Sequence, residues 1–289
     1  MLFLGLDCGG TSSRALGVDG SGQPQYQGQS GAANWATTDR ATLQRHLAEA
    51  LEGCPTPDAV AVCMAGILTE EDADGVARLL HDRFGEVRIA VYPDYRALVP
   101  LVPEACAYLI AGTGTLLFTI QESKLLKSYA NGALIGDEGS VMDLGRRAVR
   151  AYDQGAGSLG PILAEVYGTA DLGAIIPSIY RSESPAGQLA RLGPALGHSL
   201  DSGHSEATSV IRETLFSLAR NVSRYLDRWK VEGNDAPLAV TGGLWSISDQ
   251  ILPMFIEALH EVSPDRLSVT VIKTAPVEGA VLLAKELMN

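Results

Sequence analysis

Residues 2–14 read LFLGLDCGGTSSR, and this stretch predicts how the chain begins to fold. An apolar run ends at Asp7, the glycines Gly9 and Gly10 follow, and a second apolar run covers residues 15–18. We predict a strand, a tight glycine turn and a returning strand. Adjacent glycines leave the backbone N–H groups of such a turn accessible to an anion, because no side chain covers them. The turn is therefore a candidate phosphate-binding loop.

The side chains around this turn suit a phosphate that is bound together with a cation. Thr11 and Ser12 provide hydroxyl donors beside the glycines. The carboxylate of Asp7 would repel bare phosphate, so we expect Mg²⁺ to lie between them and to be held through water. An ordinary hairpin with a glycine turn is the alternative at this point. The stretch is not a Walker loop, since no Gly-Lys-Ser/Thr follows, and a strand follows the glycines where a dinucleotide fingerprint requires a helix.

The composition limits the classes of function. The chain has 289 residues, enough for two domains, and its formal net charge of −12 argues against nucleic acid or an anionic membrane as the main partner. We expect neither a signal peptide nor a membrane span, and therefore a cytoplasmic protein. The four cysteines are scattered without a CxxC pair, which predicts reduced core thiols and no zinc or iron–sulfur site. They are Cys8, Cys54, Cys63 and Cys106.

The first hundred residues predict a largely parallel α/β layer. The predicted elements are three strands within 2–30, strands at 59–64 and 87–92, and helices at about 39–51 and 70–84. Ligands of such sheets bind at the carboxyl ends of the strands. Gly66 and Asp94 follow two of these strand ends, which makes both of them candidate site residues.

The pattern of strand, glycine turn and strand occurs again about a hundred residues later. An apolar strand predicted at 105–111 leads into Gly112-Thr113-Gly114-Thr115, and further strands are predicted at 116–120 and 124–128. The two halves share little identity, so we interpret the repeat as a structural echo. Two such turns facing each other would hold a phosphate chain from both sides, which predicts a nucleotide site.

The segment GALIGDEGS, residues 132–140, carries a second candidate acid. Asp137 lies between glycines, and we favour a functional role for it, whereas Glu138 is interpreted as a cap or a solvated acid. The following region is predicted to be almost wholly helical, with its longest helix at about 205–229. His198 and His204 have no acidic or cysteine partner at a metal-ligand spacing, so we expect them to be structural.

A third glycine turn follows later in the chain. The strand predicted at 237–241 ends in Gly242-Gly243, and a helix is predicted at about 246–262. Backbone without side chains at this place could let an adenine lie close, although a plain strand-to-helix turn has the same pattern. A last strand is predicted at 267–272 and a last helix at 277–287.

These elements predict two domains. We expect an N-terminal domain over 1–103 and a C-terminal domain over 104–289, joined by a link at about 97–104. The second domain carries a mostly helical insert at about 140–232, and the terminal helix is able to pack back on the first domain.

The order of the motifs DxGGT, GTG, GDEGS and TGG resembles the actin-like superfamily of sugar kinases and heat-shock ATPases. More closely, the chain resembles the group of N-acetylglucosamine kinases and benzoyl-CoA reductase activators, up to PVEGAVLLA at residues 276–284. The resemblance covers essentially the whole chain. It implies an α/β fold of two actin-like (ribonuclease H-like) domains with a ligand cleft, and ATP with Mg²⁺ bound there.

The resemblance also implies a role for each matching position. Asp94 matches the general base of those kinases, and Asp7 matches an acid directed toward Mg²⁺. Contacts to the nucleotide are implied for Gly9, Gly10, Thr11, Ser12, Gly112, Thr113, Gly114, Gly242 and Gly243. Contacts to the sugar are implied for Asn34, Trp35, Gly66, Asp94, Asn131, Gly132 and Asp137.

The implied activity is an ATP-dependent kinase acting on the 6-hydroxyl of an amino sugar, with N-acetylglucosamine as first choice and glucosamine as nearest rival. One departure leaves the sugar open, because the kinases carry Gly-Trp-Gly before GDEGS and this chain has Ala130, Asn131 and Gly132. The other hypotheses for the function are a non-catalytic sugar sensor and an ATPase of the activator type that drives a partner. Activators hold an iron–sulfur cluster through cysteines, and the four cysteines here form no evident cluster set. Family habit implies a homodimer.

Overall fold

The computed structural model describes residues 1–122, 124–129, 132–231, 236–263 and 267–288. It divides the chain into two compact units. The first unit comprises Met1–Pro103 and the C-terminal segment from Ile272, and the second comprises Glu104–Val271. Their strands are β1 Leu2–Cys8, β2 Ser12–Asp19, β3 Pro24–Gly31, β4 Ala59–Met64, β5 Arg88–Pro93, β6 Ala107–Ala111, β7 Thr115–Gln121, β8 Lys124–Tyr129, β9 Leu238–Thr241 and β10 Val269–Val271.

The helices lie mostly in the second unit. They are α1 Arg40–Ala50, α2 Glu70–Phe84, α3 Gly132–Ile135, α4 Val141–Asp153, α5 Gly160–Tyr167, α6 Leu172–Tyr180, α7 Pro185–Ala190, α8 Leu192–Asp201, α9 Ser205–Trp229, α10 Ile251–Val262 and α11 Pro276–Glu286. No single helix of the described residues is long and apolar enough to cross a bilayer. Only the pair Gly157–Tyr167 and Leu172–Tyr180, bent by 49°, meets the criteria of length and composition when its two parts are combined.

The first unit is a five-stranded sheet in the order β3-β2-β1-β4-β5. β1 pairs antiparallel with β2 and parallel with β4, which places Asp7 between Arg14 and Cys63. The side chains of β4 are buried on both faces, as is expected of a central parallel strand. α11 lies so close to β1 that a Cβ at Gly5 would overlap the backbone of Val281. Because β1, β4 and β5 run parallel, their carboxyl ends meet at one edge of the sheet.

The second unit repeats this sheet. Its order is β10-β9-β6-β7-β8, with β6 antiparallel to β7 and parallel to β9. β6 thus corresponds to β1, and the turn after β6 corresponds to the turn after β1. The structural echo predicted from the two glycine turns is confirmed. The helices α3 to α9 are inserted between β8 and β9, and α9 contributes a buried stripe that includes Leu215, Leu218 and Val222.

Several boundaries differ from those expected. The second domain is expected to extend to residue 289 with a terminal helix able to pack back on the first domain. In the structure, the segment from Ile272 belongs to the first unit because α11 covers one face of its sheet. The expected link at 97–104 is largely a 3-10 helix, Asp94–Leu101, with Ala97 and Leu98 buried. α10 begins only at Ile251, because the residues Gly243–Ser246, which start within the third glycine turn, form a separate 3-10 turn.

Candidate functional site

The first glycine turn presents open backbone. Gly9 N donates to Ser12 O at 3.0 Å and closes the turn between β1 and β2, where Gly10 and Thr11 are exposed. Neither Gly9 nor Gly10 has a positive φ, and a Cβ at Gly10 would meet no atom within 4 Å. The fold of the first unit does not itself require glycine at position 10. Space kept free at such a turn suits an anionic ligand.

Two carboxylates lie near this turn. Asp7 is the penultimate residue of β1, and Asp94 follows β5 as the first, exposed residue of the 3-10 helix. Burial and, to a smaller extent, the negative charge of Asp94 raise the pKa of Asp7 to about 6, although the positive charge of Arg14 partly opposes both effects. Asp94 Oδ1 accepts a hydrogen bond from Tyr95 N at 2.9 Å. The two acids therefore stand at the same sheet edge and interact electrostatically.

This pair fits Mg²⁺. Magnesium is usually held by one or two carboxylates, with waters and substrate phosphates as its other ligands. A divalent cation beside Asp7 would relieve the repulsion that raises the pKa of its carboxyl group. The described residues contain no group of three or more His, Cys, Asp or Glu side chains that could hold a metal by themselves.

The loop that carries Asn34 is built against Gly66. Asn34 Oδ1 accepts hydrogen bonds from Ala36 N at 2.9 Å and Thr37 N at 3.2 Å. Gly66 has a φ of 84°, and a Cβ there would overlap Asn34 Oδ1. The structure thus brings together two residues predicted to bind substrate. Asn34 Nδ2 makes no hydrogen bond to any residue that the structure describes.

The indole of Trp35 anchors the same loop. Its Nε1 donates to Asp72 Oδ1 on α2 at 2.7 Å, and the Arg40 guanidinium lies 3.4 Å from the ring centroid. A Cβ at Gly75 of α2 would lie 2.5 Å from the ring. The Trp35 side chain therefore fixes the position of the loop, and its predicted contact with a sugar stays a prediction.

The second glycine turn rests on Asp137. Gly112 N donates to Gly114 O at 2.9 Å, and Thr115 N donates to Asp137 Oδ1 at 2.9 Å. A Cβ at Gly114 would lie 2.9–3.0 Å from the Asp137 carboxylate group. Asp137 is only 9% exposed and has a φ of 59°. Its carboxylate packs against the second glycine turn and accepts a hydrogen bond from it, a role that was not predicted from the sequence.

The GDEGS segment is fixed by hydrogen bonds at several points. Ser140 caps α4 by accepting from Asp143 N at 3.0 Å, and Asp143 accepts from Gly139 N at 2.9 Å. Glu138 accepts from Asn221 Nδ2 of α9 at 2.6 Å. Gly132 opens the short helix α3 with a φ of 74°. Ala130 and Asn131, the positions of the departure from Gly-Trp-Gly, lie outside the described residues.

A cavity of about 550 Å³ joins the second and third glycine turns. A Cβ on Gly112 would lie 3.9 Å from Gly243 N, so the two turns are neighbours. Gly242 has a φ of 109° and packs its Cα on Ala111 O, whereas a Cβ at Gly243 would meet no atom. The cavity is lined by Gly112, Thr113, Val141, Ala190, Pro194, His198, Asp201, Gly243, Ser246 and Ile247. Small-molecule sites commonly have such a volume.

α8 forms one wall of the cavity, and the sequence pattern did not predict this. One face of this helix is buried, and the opposite, exposed face carries Pro194, His198 and Asp201 at helical spacing. His198, expected to be structural, lines the cavity, whereas His204 caps α9 by accepting from Ala207 N. The sequence does carry one indication of this packing. Gly193 and Gly197 lie one turn apart and allow α8 to approach Val141 and Ile247 closely.

Comparisons with known proteins identify the family and the fold of the chain. The model of the BadF/BadG/BcrA/BcrD ATPase family matches residues 4–284. The chain is similar to a provisionally assigned N-acetylglucosamine kinase from Chromobacterium violaceum, with 20% identity, 98% of each chain covered and a TM-score of 0.72. A second provisional N-acetylglucosamine kinase, from Porphyromonas gingivalis, is 23% identical over 97% of each chain, with a TM-score of 0.73.

A third similar structure contains ligands. It is a ROK family glucokinase from Streptomyces griseus in complex with glucose and AMPPNP, 15% identical over 99% of this chain and 100% of that chain, with a TM-score of 0.64. No curated protein sequence matches the chain. At these identities the solved structures show the fold, which is the actin-like α/β fold of sugar kinases along the whole chain. The predicted fold class and family resemblance are confirmed.

Proposed function

The chain belongs to the BadF/BadG/BcrA/BcrD ATPase family, and we propose that it is an ATP-dependent kinase for the 6-hydroxyl of an amino sugar, with N-acetylglucosamine as first candidate. The observation that carries this proposal is the cavity in which Gly112, Thr113 and Gly243 meet. Its volume suits a nucleoside, and its glycine turn offers backbone donors for phosphates. The phosphate donor is abundant in the cytoplasm, where we propose that the reaction takes place.

The two units supply different parts of the reaction. The open turn at Gly9 and Gly10 binds phosphate from the first unit, with Thr11 and Ser12 as hydroxyl donors. The turn at Gly112 and Gly114 binds phosphate from the second unit. Asp7 would hold Mg²⁺ through water, and a bound Mg²⁺ would supply positive charge to neutralise the phosphates.

Asp94 is the proposed general base. Its carboxylate is exposed at the carboxyl edge of the sheet, where strand ends present ligand-binding groups. Asn34, held by Gly66, presents its amide Nδ2 as a donor for the sugar. We also propose sugar contacts for Trp35, Asn131, Gly132 and Asp137. The enzyme mainly has to position the groups and neutralise charge, because phosphoryl transfer needs little covalent help.

An ADP-release assay with Mg-ATP tests the substrate. The panel is N-acetylglucosamine, glucosamine, N-acetylmannosamine, N-acetylmuramic acid, glucose and no sugar. Strong stimulation by one amino sugar supports the kinase and identifies the sugar. Equal hydrolysis with and without every sugar contradicts the proposal. It favours the second candidate, an ATPase that drives a partner, since the family description names ATPases.

Substitution of Asp94 tests the mechanism. We expect Asp94→Asn to lower kcat by about 10²–10⁴-fold, the usual contribution of a general base. The affinity for ATP should remain, because the proposed nucleoside cavity lies in the second unit. Asp74→Asn, an exposed acid on α2, is the control for the change of charge. Turnover within a few-fold of the wild type would remove Asp94 from the role of base.

A further inference from the structure

The exposed face of α8 closes one side of the 550 Å³ cavity. A Cβ at Gly193 would overlap Val141, and a Cβ at Gly197 would overlap the carbonyl oxygen of Ile247. These glycines let the helix lie directly on the segment that follows the Gly-Gly turn. As a result, Asp201, in the last turn of α8, reaches the cavity.

Asp201 is held in one orientation and still has an unused acceptor. Its Oδ1 accepts hydrogen bonds from Ser248 Oγ at 2.5 Å and Gln250 Nε2 at 3.0 Å. The bond from Ser248, followed by those from Gln250 and the charge of His198, lowers the pKa of Asp201. Oδ2 accepts no hydrogen bond from any residue that the structure describes. The side chain is therefore a fixed carboxylate, which can only accept hydrogen bonds.

The lining of the cavity consists of an apolar part and a polar rim. Val141, Ala190 and Ile247 are buried or half-buried and offer apolar surface for a flat base. Asp201 and His198 are exposed and form the polar rim of the same cavity. The ribose hydroxyls of a nucleoside can donate hydrogen bonds to a carboxylate at this rim, while the base lies on the apolar part.

We propose that Asp201 recognises the ribose of the nucleotide by accepting a hydrogen bond from a ribose hydroxyl, and so selects ribonucleotides over deoxyribonucleotides. This inference rests on the proposed function only in that the cavity binds a nucleotide. A deoxyribose would leave Asp201 without its donor, and a site built to bond a hydroxyl rejects an analogue that lacks it.

Calorimetric titration without sugar tests the inference. Mg-ATP, 2′-deoxy-ATP and 3′-deoxy-ATP are titrated into the wild type, Asp201→Ala and the control Asp249→Asn, an exposed acid outside the cavity lining. We expect the wild type and the control to bind ATP about 10-fold or more tightly than one of the deoxynucleotides, the usual effect of a hydrogen bond to a charged group. In Asp201→Ala, ATP should bind more weakly and this preference should disappear.

Other outcomes overturn the inference. If Asp201→Ala keeps the wild-type preference for ATP over both deoxynucleotides, the ribose is recognised by other groups. If a parallel titration with inosine triphosphate shows that Asp201→Ala has lost the discrimination between ATP and that nucleotide instead, Asp201 contacts the base. If the wild type binds ATP but not more tightly than either deoxynucleotide, the inference fails while the proposed function stands. Failure of the wild type to bind any nucleotide overturns both.

Discussion

At the scale of the residue, Asp7 combines a cost in stability with a proposed role in function. Its carboxylate is partly buried at the end of β1, next to a turn that suits phosphate. Burial and the charge of Asp94 raise the pKa of Asp7 to about 6, above the usual value of 3.8. The folded protein thus binds this proton more tightly than the unfolded chain does, and the ionised side chain destabilises the fold. Such a cost is expected where a cation is to be bound.

The pH dependence of stability tests this view of Asp7. The contribution of Asp7 is fully present below pH 4 and is lost as the pH rises to about 6, because its pKa is raised in the folded state. We expect Asp7→Asn to stabilise the ligand-free protein at pH 8 by about 3 kcal/mol, since the pKa rises from 3.8 to about 6 and each pKa unit corresponds to about 1.4 kcal/mol. The difference should vanish near pH 4. Urea unfolding at several pH values measures it.

Asp19→Asn is the control, and it should have the opposite sign. A hydrogen bond from the Ser21 side chain, with further bonds from Gln23 N, Ser21 N and Gln25, lowers the pKa of Asp19 to about 2. Its contribution is present above pH 4 and is lost as the pH falls toward 2. Asp19→Asn should therefore destabilise the protein at pH 8. Equal responses of the two variants would contradict the assigned cause.

The glycines show what could be predicted residue by residue. The sequence located all three glycine turns, because adjacent glycines after apolar runs are visible without a structure. It could not separate Gly242, which the backbone requires at a φ of 109°, from Gly243, where a side chain would meet no atom. That difference depends on neighbours from β6, which are distant in the sequence. The supporting position of Asp137 under Gly114 depends on tertiary contacts in the same way.

At the scale of the element, α8 decides the shape of the cavity. The sequence predicted a helical region here because its apolar residues recur at helical spacing. An exposed helix face that lines a cavity has the same polar pattern as one that faces only water. The sequence therefore did not indicate that Asp201 lies at the cavity. The packing of α8 depends on Gly197, whose Cα approaches the carbonyl oxygen of Ile247.

Gly197→Ala tests the role of this close approach. The added Cβ would overlap the Ile247 backbone, so α8 has to move away from the segment that follows Gly243. We expect a loss of about 1–3 kcal/mol in the free energy of unfolding, typical of overpacking, and weaker binding of Mg-ATP. Gly157→Ala, where the new side chain meets no atom, is the control. Unchanged stability and affinity in Gly197→Ala would show that the contact does not shape the site.

At the scale of the whole molecule, the chain builds the same sheet twice, and its last helix returns to the first sheet. α11 packs on β1 and shares a core with Phe3, Ala61 and Cys63, so the first unit is discontinuous in sequence. From the sequence this helix is expected in the second domain, although able to pack back on the first, because contacts between the ends of a chain leave no local pattern. The second unit is continuous from Glu104 to Val271.

This arrangement predicts how fragments of the chain fold. We expect residues 104–271 to unfold cooperatively when expressed alone, because their core is formed by their own elements. Residues 1–103 should lack a cooperative transition, because one apolar face of their sheet is uncovered without α11. Fusing residues 272–288 to residues 1–103 through a flexible linker should restore the transition. Thermal melts followed by circular dichroism distinguish these cases, and a cooperative melt of residues 1–103 alone would show that α11 is not needed to complete the first unit.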